Sequence, residues 1–183
     1  MGQIKVTKCP IEGLYIIDPI AHEDRYNLFE ETYNQKDMEE KGLNMFFVQE
    51  NHSMSRRGVL RGLHYQKNFP QGKLIRVIQG LVFDVAVDVR KESKTYGKWY
   101  GVELSNENKK QFYISEGFAH GFYVMSETAD LCYKVTDYWH PNDEIGIPWN
   151  DITIGIDWPI EEGCTPLVAE KDKQYTAFQR YIN

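Results

Sequence analysis

The sequence predicts an all-β protein, a jelly-roll barrel of antiparallel strands with a few short peripheral helices. Three observations predict it. Apolar residues recur with period two through the middle of the chain, the spacing of a strand with two unlike faces. Short turn signals divide these runs at near-regular intervals, as in an antiparallel sandwich or barrel. Helical patterning is confined to two peripheral stretches, without the strand–helix alternation of a doubly wound sheet and without a glycine-rich nucleotide loop.

Residues 1–44 read as an N-terminal extension. Within it, Gln35–Lys41 is suited to about two helical turns, with Asn34 as N-cap and Gly42 at the end. Residues 45–140 read as the barrel. Its strands are predicted at Met45–Gln49, Val59–Gln66, Leu74–Gln79, Leu81–Val89, Trp99–Leu104, Gln111–Ser115, Phe118–Met125 and Leu131–Tyr138. The pattern is plainest where Leu81, Phe83, Val85, Val87 and Val89 alternate with Val82, Asp84, Ala86 and Asp88. Turn residues separate the runs at Gln79-Gly80, Thr95-Tyr96-Gly97, Ser105-Asn106-Glu107-Asn108 and Ser115-Glu116-Gly117. Residues 141–183 form a C-terminal segment, with a second helix predicted over Glu170–Tyr181. No repeat, low-complexity tract or linker divides the 183 residues, so one domain is expected.

Composition narrows the function. With 42% apolar, 26% charged and 14% aromatic residues, the chain is not a disordered, collagen-like or coiled-coil sequence. A domain this long buries roughly two-thirds of its unfolded surface and needs no disulfides. The net charge of −6 argues against a duplex nucleic-acid partner but permits a cationic pocket for one small anion. Cys9, Cys132 and Cys164 are odd in number and lack C-x-x-C spacing, which points to a reducing, cytoplasmic compartment. No apolar run approaches the ~18 residues of a membrane span, so no membrane partner is expected. The Met1–Val6 start fits neither a signal peptide nor a myristoylation motif.

The densest polar cluster is Arg56-Arg57-Gly58-Val59-Leu60-Arg61-Gly62-Leu63-His64-Tyr65-Gln66. On a regular strand His64 shares a face with Leu60, Gly62 and Gln66, and Arg61 points the other way. Both reach one pocket only if Gly62 marks a bulge or kink. The plain alternative is a surface arginine and a satisfied core histidine. Metal-binding barrels often carry an H-x-H pair, but here that slot reads His64-Tyr65-Gln66, with an amide where an imidazole would serve. His120 supplies a second imidazole without a carboxylate at ligand spacing, so metal-free chemistry is expected. Lys73, in Gln71-Gly72-Lys73, suits a phosphate or oxyanion as a compact charge, or is a solvated strand end. Tyr133 alternates with Leu131 and Val135 and faces inward, as core tyrosines also do. Tyr138 and Trp139 end that strand at a barrel mouth, suited either to stacking a nucleobase or to plugging the end. Asp172 reads as a helix-start carboxylate.

Several stretches occur in a distinctive order: Phe47-Val48-Gln49-Glu50-Asn51, Val59-Leu60-Arg61-Gly62-Leu63-His64, Gln71-Gly72-Lys73, Phe83-Asp84-Val85-Ala86-Val87-Asp88, Glu116-Gly117-Phe118-Ala119-His120-Gly121-Phe122, Trp149-Asn150-Asp151 and Gly155-Ile156-Asp157-Trp158-Pro159. From about Leu14 to Asp172 the chain resembles the dTDP-4-dehydrorhamnose 3,5-epimerases, metal-independent enzymes with a cupin-like jelly roll. The resemblance implies epimerisation at C3 and C5 of dTDP-4-dehydro-6-deoxy-D-glucose to dTDP-4-dehydro-L-rhamnose, with no cofactor. It implies that His64 is the base, Tyr133 the acid, Asp172 the partner of His64, and that Lys73 faces the ketone oxygen. Arg25, Glu30, Gln49, Glu50, Asn51, Arg61, His120, Glu144 and Lys171 match the family's other substrate contacts, and Trp139 its thymine-stacking aromatic. It further implies a homodimer with exchanged N-terminal segments, in which Arg25 and Glu30 complete the partner's site.

Two positions depart from the family pattern: Tyr26 stands where a glycine is usual, and Trp139 where tyrosine is commoner. Competing readings are an epimerase acting at C3 or C5 alone on a related nucleotide sugar, a non-catalytic sugar-binding jelly roll, and a metal-dependent oxygenase. In the sugar-binding case His64, Lys73 and Tyr133 need not converge.

Overall fold

Period-two alternation gives each strand one face for the core and one for the outside, and two such sheets stack in this chain. The fold is known from a computed structural model that describes residues 4–178. The first sheet has the order β1 (Lys5–Lys8), β2 (Leu14–Asp18), β10 (Gln111–Ile114), β7 (Lys73–Gln79), β12 (Thr128–Val135) and β5 (Gln49–Arg56). The second has the order β13 (Glu144–Gly146), β6 (Val59–Gln66), β11 (Phe118–Val124), β8 (Leu81–Asp88) and β9 (Trp99–Ser105). Both are antiparallel; β14 (Leu167–Val168) lies parallel beside β6. A separate hairpin pairs β3 (Ala21–Glu23) with β4 (Leu28–Glu30). This is the antiparallel jelly roll the sequence predicts.

The main core lies between the sheets, where Ile75, Phe112 and Leu131 of the first meet Val82, Phe118 and Val124 of the second. Leu60, Leu63, Val85 and Val87 on the outer face of the second sheet are covered by Ile147, Ile154 and Trp158 of the C-terminal segment. Ile17, Leu74 and Tyr113 on the outer face of the first are covered by Met38, Leu43 and Met45. Each such fully buried side chain contributes about 1.5–3 kcal/mol.

Helix α1 (Gln35–Glu40) forms as expected, and the Asn34 side chain accepts hydrogen bonds from the Lys36 and Asp37 amides. The predicted N-terminal extension is more integrated than its name suggests, because β2 pairs with β10 and extends the first sheet. The strand expected at Met45–Gln49 lies further on, as β5, and Met45 instead plugs the core below it. Tyr26 needs no left-handed backbone, since Lys109 is the one non-glycine residue with positive φ among those described. Asp24 instead makes the β3–β4 turn by accepting from the Tyr26 and Asn27 amides. The helix expected over Glu170–Tyr181 is only a 3-10 turn, Glu170–Lys173, followed by irregular chain to Phe178; residues 179–181 lie outside the described residues. No side chain caps that turn at Ala169, and Tyr175 and Phe178 beyond it pack against the outer face of the second sheet.

Gly62 is the bulge. Arg61 pairs with Phe122 and His64 with His120, so Gly62 and Leu63 together oppose Gly121 alone. The alternation therefore changes phase: Leu60 and Leu63 both join the outer core, and Arg61 and His64 both face the space between the sheets. Gly62 has φ +108°, and a Cβ there would lie 2.6 Å from Gly121 Cα and from the His120 carbonyl oxygen. Gly62→Ala is expected to cost about 1–3 kcal/mol in urea unfolding. Gly58→Ala, with positive φ but nothing within 4 Å of the new Cβ, should cost less. Equal costs would mean that the close approach to β11 does not constrain Gly62.

Candidate active site

A cavity of about 460 Å³ opens between the two sheets. The first sheet contributes Gln49, Asn51, Ser53 and Ser55 of β5, Lys73 of β7 and Tyr133 of β12. The second contributes Arg61, His64, His120 and Phe122. Trp139, Glu144 and Lys171 line the same cavity. His64, Lys73 and Tyr133, separated widely in sequence, thus converge on one space.

His64 Nε2 lies 2.8 Å from Asp172 Oδ1. Asp172 is 1% exposed, and its Oδ2 accepts from the Gly62 amide at 3.2 Å. Burial alone would raise the Asp172 pKa. The hydrogen bond and charge of His64, the Gly62 amide and the Tyr175 hydroxyl outweigh it and leave the carboxyl below its ordinary range. An anionic carboxylate facing Nε2 fixes the proton there and leaves the Nδ1 lone pair to act as a base.

A second pair stands beside the first. His120 Nε2 is 3.0 and 2.9 Å from the two oxygens of Asp84, a residue with no exposed surface. Here burial prevails over His120 and Lys73, and the Asp84 pKa is raised. The Lys73 ammonium makes no hydrogen bond or ion pair among the described residues. Desolvation pushes its pKa down to about 8, against the upward pull of Glu144, Asp84 and Glu116. Tyr133 packs on the main core, and burial, assisted by the charge of Glu144, raises its pKa and keeps the phenol protonated.

At Trp139, which is 58% exposed, the indole Nε1 donates to Glu144 Oε2 at 3.4 Å and the backbone amide to Gln49 Oε1 at 3.4 Å. Lys171 Nζ donates to Glu144 Oε1 at 2.7 Å. Burial would raise the Glu144 pKa, but Lys171 and His64 lead the interactions that lower it. Gln49 donates to Asn51 Oδ1 at 2.8 Å.

Three expected contact residues do not reach the cavity of their own chain. Glu50 alternates to the outer face of β5, where it meets Lys134 at 3.0 Å. Glu30 lies on β4, 3.5 Å from Arg76 on that same outer side. Arg25 is exposed in the hairpin turn, over the Tyr26 ring. Asp84 and Tyr175 are functional candidates that the residue-by-residue reading did not select. The inward parity of Asp84 between Val82 and Ala86 was a signal for it; nothing local marks Tyr175. At the H-x-H slot, the Gln66 amide is occupied by backbone, donating to the carbonyls of Phe69 and Tyr138 and accepting from the His140 amide. Among the described residues, no three His, Cys, Asp or Glu side chains converge at metal-ligand spacing.

Residues 8–180 match the family model for dTDP-4-dehydrorhamnose 3,5-epimerase. The chain is 50% identical over 175 residues to an enzyme of that name from Methanothermobacter thermautotrophicus, covering 96% of this chain and 95% of the relative. It is also similar to the crystal structure of dTDP-6-deoxy-D-glucose-3,5-epimerase from Legionella pneumophila in complex with dTDP-4-keto-L-rhamnose. That likeness has a TM-score of 0.91 and 47% identity, over 96% of this chain and 93% of the other. A more distant likeness, at 28% identity and TM-score 0.85, is to a 3'-monoepimerase from Streptomyces bikiniensis in complex with dTDP-quinovose, over 92% and 85% of the two chains.

Desolvation of Lys73 has a measurable consequence. Its folded pKa of about 8 lies below the ordinary lysine value near 10.4, so between these limits the unfolded chain binds more protons. Stability arising from this group therefore rises with pH across that window. Lys73→Met is expected to unfold at higher urea than the parent at pH 7, and the gap should narrow by pH 10. A gap that is constant from pH 7 to 10 would exclude a desolvated ammonium.

Proposed function

The chain belongs to the dTDP-4-dehydrorhamnose 3,5-epimerase family, and from that premise we infer the reaction and the part each residue plays. The protein is an isomerase that converts dTDP-4-dehydro-6-deoxy-D-glucose to dTDP-4-dehydro-L-rhamnose by inverting C3 and C5, with no cofactor. The observation that carries the assignment of roles is the convergence of His64, Lys73 and Tyr133 on one cavity, drawn from two facing sheets. A binding-only jelly roll has no need of that convergence.

A C–H bond beside a ketone is a weak acid, and breaking it leaves negative charge on the ketone oxygen. His64 Nδ1 takes the proton, and Asp172 stabilises the imidazolium that results. General-base action of this kind contributes about 10²–10⁴-fold. A cation at the developing oxyanion adds about 2.7–4 kcal/mol, the part of Lys73, whose weak hydration in the cavity strengthens its field. Inversion then requires a proton from the opposite side of the ring. Tyr133 comes from the sheet facing His64 and is kept protonated by burial, which suits it to that donation. Arg61 and Lys171 suit the diphosphate, and Trp139, with its broad exposed face, suits thymine.

We propose further that the working unit is a homodimer. Arg25 and Glu30 match family substrate contacts but lie away from their own cavity, on a hairpin whose Tyr26, Leu28 and Phe29 are 86%, 50% and 61% exposed. An apolar arm of this kind fits a second copy of the chain, carrying both residues to the partner's site. The family match over 8–180 supports one epimerase domain, and the three unpaired cysteines suit a cytoplasmic setting. Light scattering should give twice the 21.5 kDa chain mass; a monomer of full activity would remove the exchanged arm.

The decisive experiment follows dTDP-4-dehydro-6-deoxy-D-glucose in D₂O by NMR. Deuterium is expected at both C3 and C5 with net inversion; exchange at one carbon would mark a single-carbon epimerase. His64→Ala should lose at least about 10²-fold in kcat, and near-normal turnover would remove His64 as the base. Tyr133→Phe should keep exchange at C5 while net inversion fails, whereas equal loss of both would exclude it as the opposite-face acid.

A further inference from the structure

The Trp149-Asn150-Asp151 stretch is among the most distinctive in the sequence, yet it does not line the cavity. Asp151 is buried, and its Oδ1 accepts from the Thr153 and Ile154 amides at 2.9 and 3.1 Å. Its Oδ2 accepts from the Phe178 amide at 2.7 Å. One carboxylate thus clasps the C-terminal segment, whose other end is the 3-10 turn bearing Asp172. Tyr175 lies between these anchors. Its ring occupies the space that a side chain at Gly146 would fill, and Gly146 is the β13 residue paired with His64. The Tyr175 hydroxyl donates to Asp172 Oδ1 at 3.2 Å, the same oxygen that lies 2.8 Å from His64 Nε2. The Tyr175 and His64 rings meet edge-on at 5.8 Å and 82°.

We propose that Tyr175 is a positioning residue of this site: sharing Asp172 Oδ1 with His64, it fixes the carboxylate and weakens its hold on the imidazolium, so that His64 releases a proton more readily. A carboxylate oxygen that accepts two donors presents less charge to each. Other titratable and charged groups around His64 are Glu144 on β13 with Lys171 against it, His120 with Asp84 on the neighbouring strands, Arg61 on β6 itself, and Lys73 and Tyr133 across the cavity. These stay in place when Tyr175 alone is changed. The role rests on His64 acting as the base.

Tyr175→Phe keeps the ring against Gly146 and removes only the hydroxyl. Titration of the His64 imidazole by NMR, in protein without substrate, is expected to shift its midpoint to higher pH by about half a unit to one unit. The acid limb of kcat/KM should move with it, while the thermal midpoint stays close to that of the parent. Gly146→Ala, which displaces the ring, should shift the imidazole in the same direction. Coincident imidazole titrations in the parent and Tyr175→Phe would overturn the proposal, whatever the activity. A shifted imidazole with an unmoved rate profile would uphold Tyr175 and instead remove His64 as the base.

Discussion

One extra residue in one strand governs the site. Leu60 and Leu63 are both fully buried in the outer core, and two leucines three positions apart cannot share a face of a regular strand. The bulge at Gly62 is the backbone's solution, and its consequence on the inner face is that Arg61 and His64 project together. Within the site, Asp172 holds the bulge through the Gly62 amide, but most of the support lies outside it. That support comes from apolar burial on the far side of the same sheet, and from Gly121 opposite, which allows β11 to approach the bulge without a side chain between them.

Charge placement follows from that geometry. The chain carries net −6, yet its cavity collects Arg61, His64, Lys73, His120 and Lys171. Each histidine is backed by a buried aspartate, and the two aspartates differ in proton affinity in opposite directions. Asp172 meets an imidazole, an amide and a hydroxyl, enough to hold the anion despite burial. Among the described residues Asp84 has only His120 as a side-chain hydrogen-bond partner, with Lys73 acting at longer range, and burial prevails. Two pairs of identical composition therefore differ in character, and the difference resides in the groups surrounding each carboxylate. Separation of proton affinities by environment is the usual way one fold keeps acid and base functions apart.

The inward-facing strands were legible in the sequence wherever one face was apolar, and so were the Asn34 cap and the need for a kink at Gly62. Strand β5 was not. Its inner residues are Gln49, Asn51, Ser53 and Ser55, all polar, and its largest apolar side chain, Met54, is on the outer, exposed side, so period-two hydrophobicity is silent where a strand lines a wet cavity. The C-terminal helix failed for a related reason: Glu170–Tyr181 has the composition of a helix, but the Asp151 clasp and the pocket over Gly146 draw the chain out after one turn. His64, Lys73 and Tyr133 each had a plain structural reading in their own surroundings, and the family resemblance alone singled them out. Their convergence is a property of sheet order, in which β7 and β12 are neighbours and β6 lies opposite, and pairing at such sequence distance leaves no local trace. Glu50 illustrates the converse case, since the same alternation that turns Gln49 and Asn51 inward turns it away.

Stacked sheets lie about 10 Å apart, a distance that facing side chains normally fill. Room for a sugar ring therefore requires places where they do not, and β5 supplies them with the short side chains of Ser53 and Ser55 on the lining. The apolar core resumes where Leu131 and Phe122 close the inner part of the cavity. A sandwich emptied locally in this way leaves functional groups on both walls of one narrow space, carried by paired strands of the two sheets. Proton removal from one face of a ring and delivery to the other calls for groups on opposite walls, which such a fold supplies by construction. What remains to be tuned is how strongly each wall holds its proton, and that tuning lies in the carboxylates and hydroxyls behind the walls.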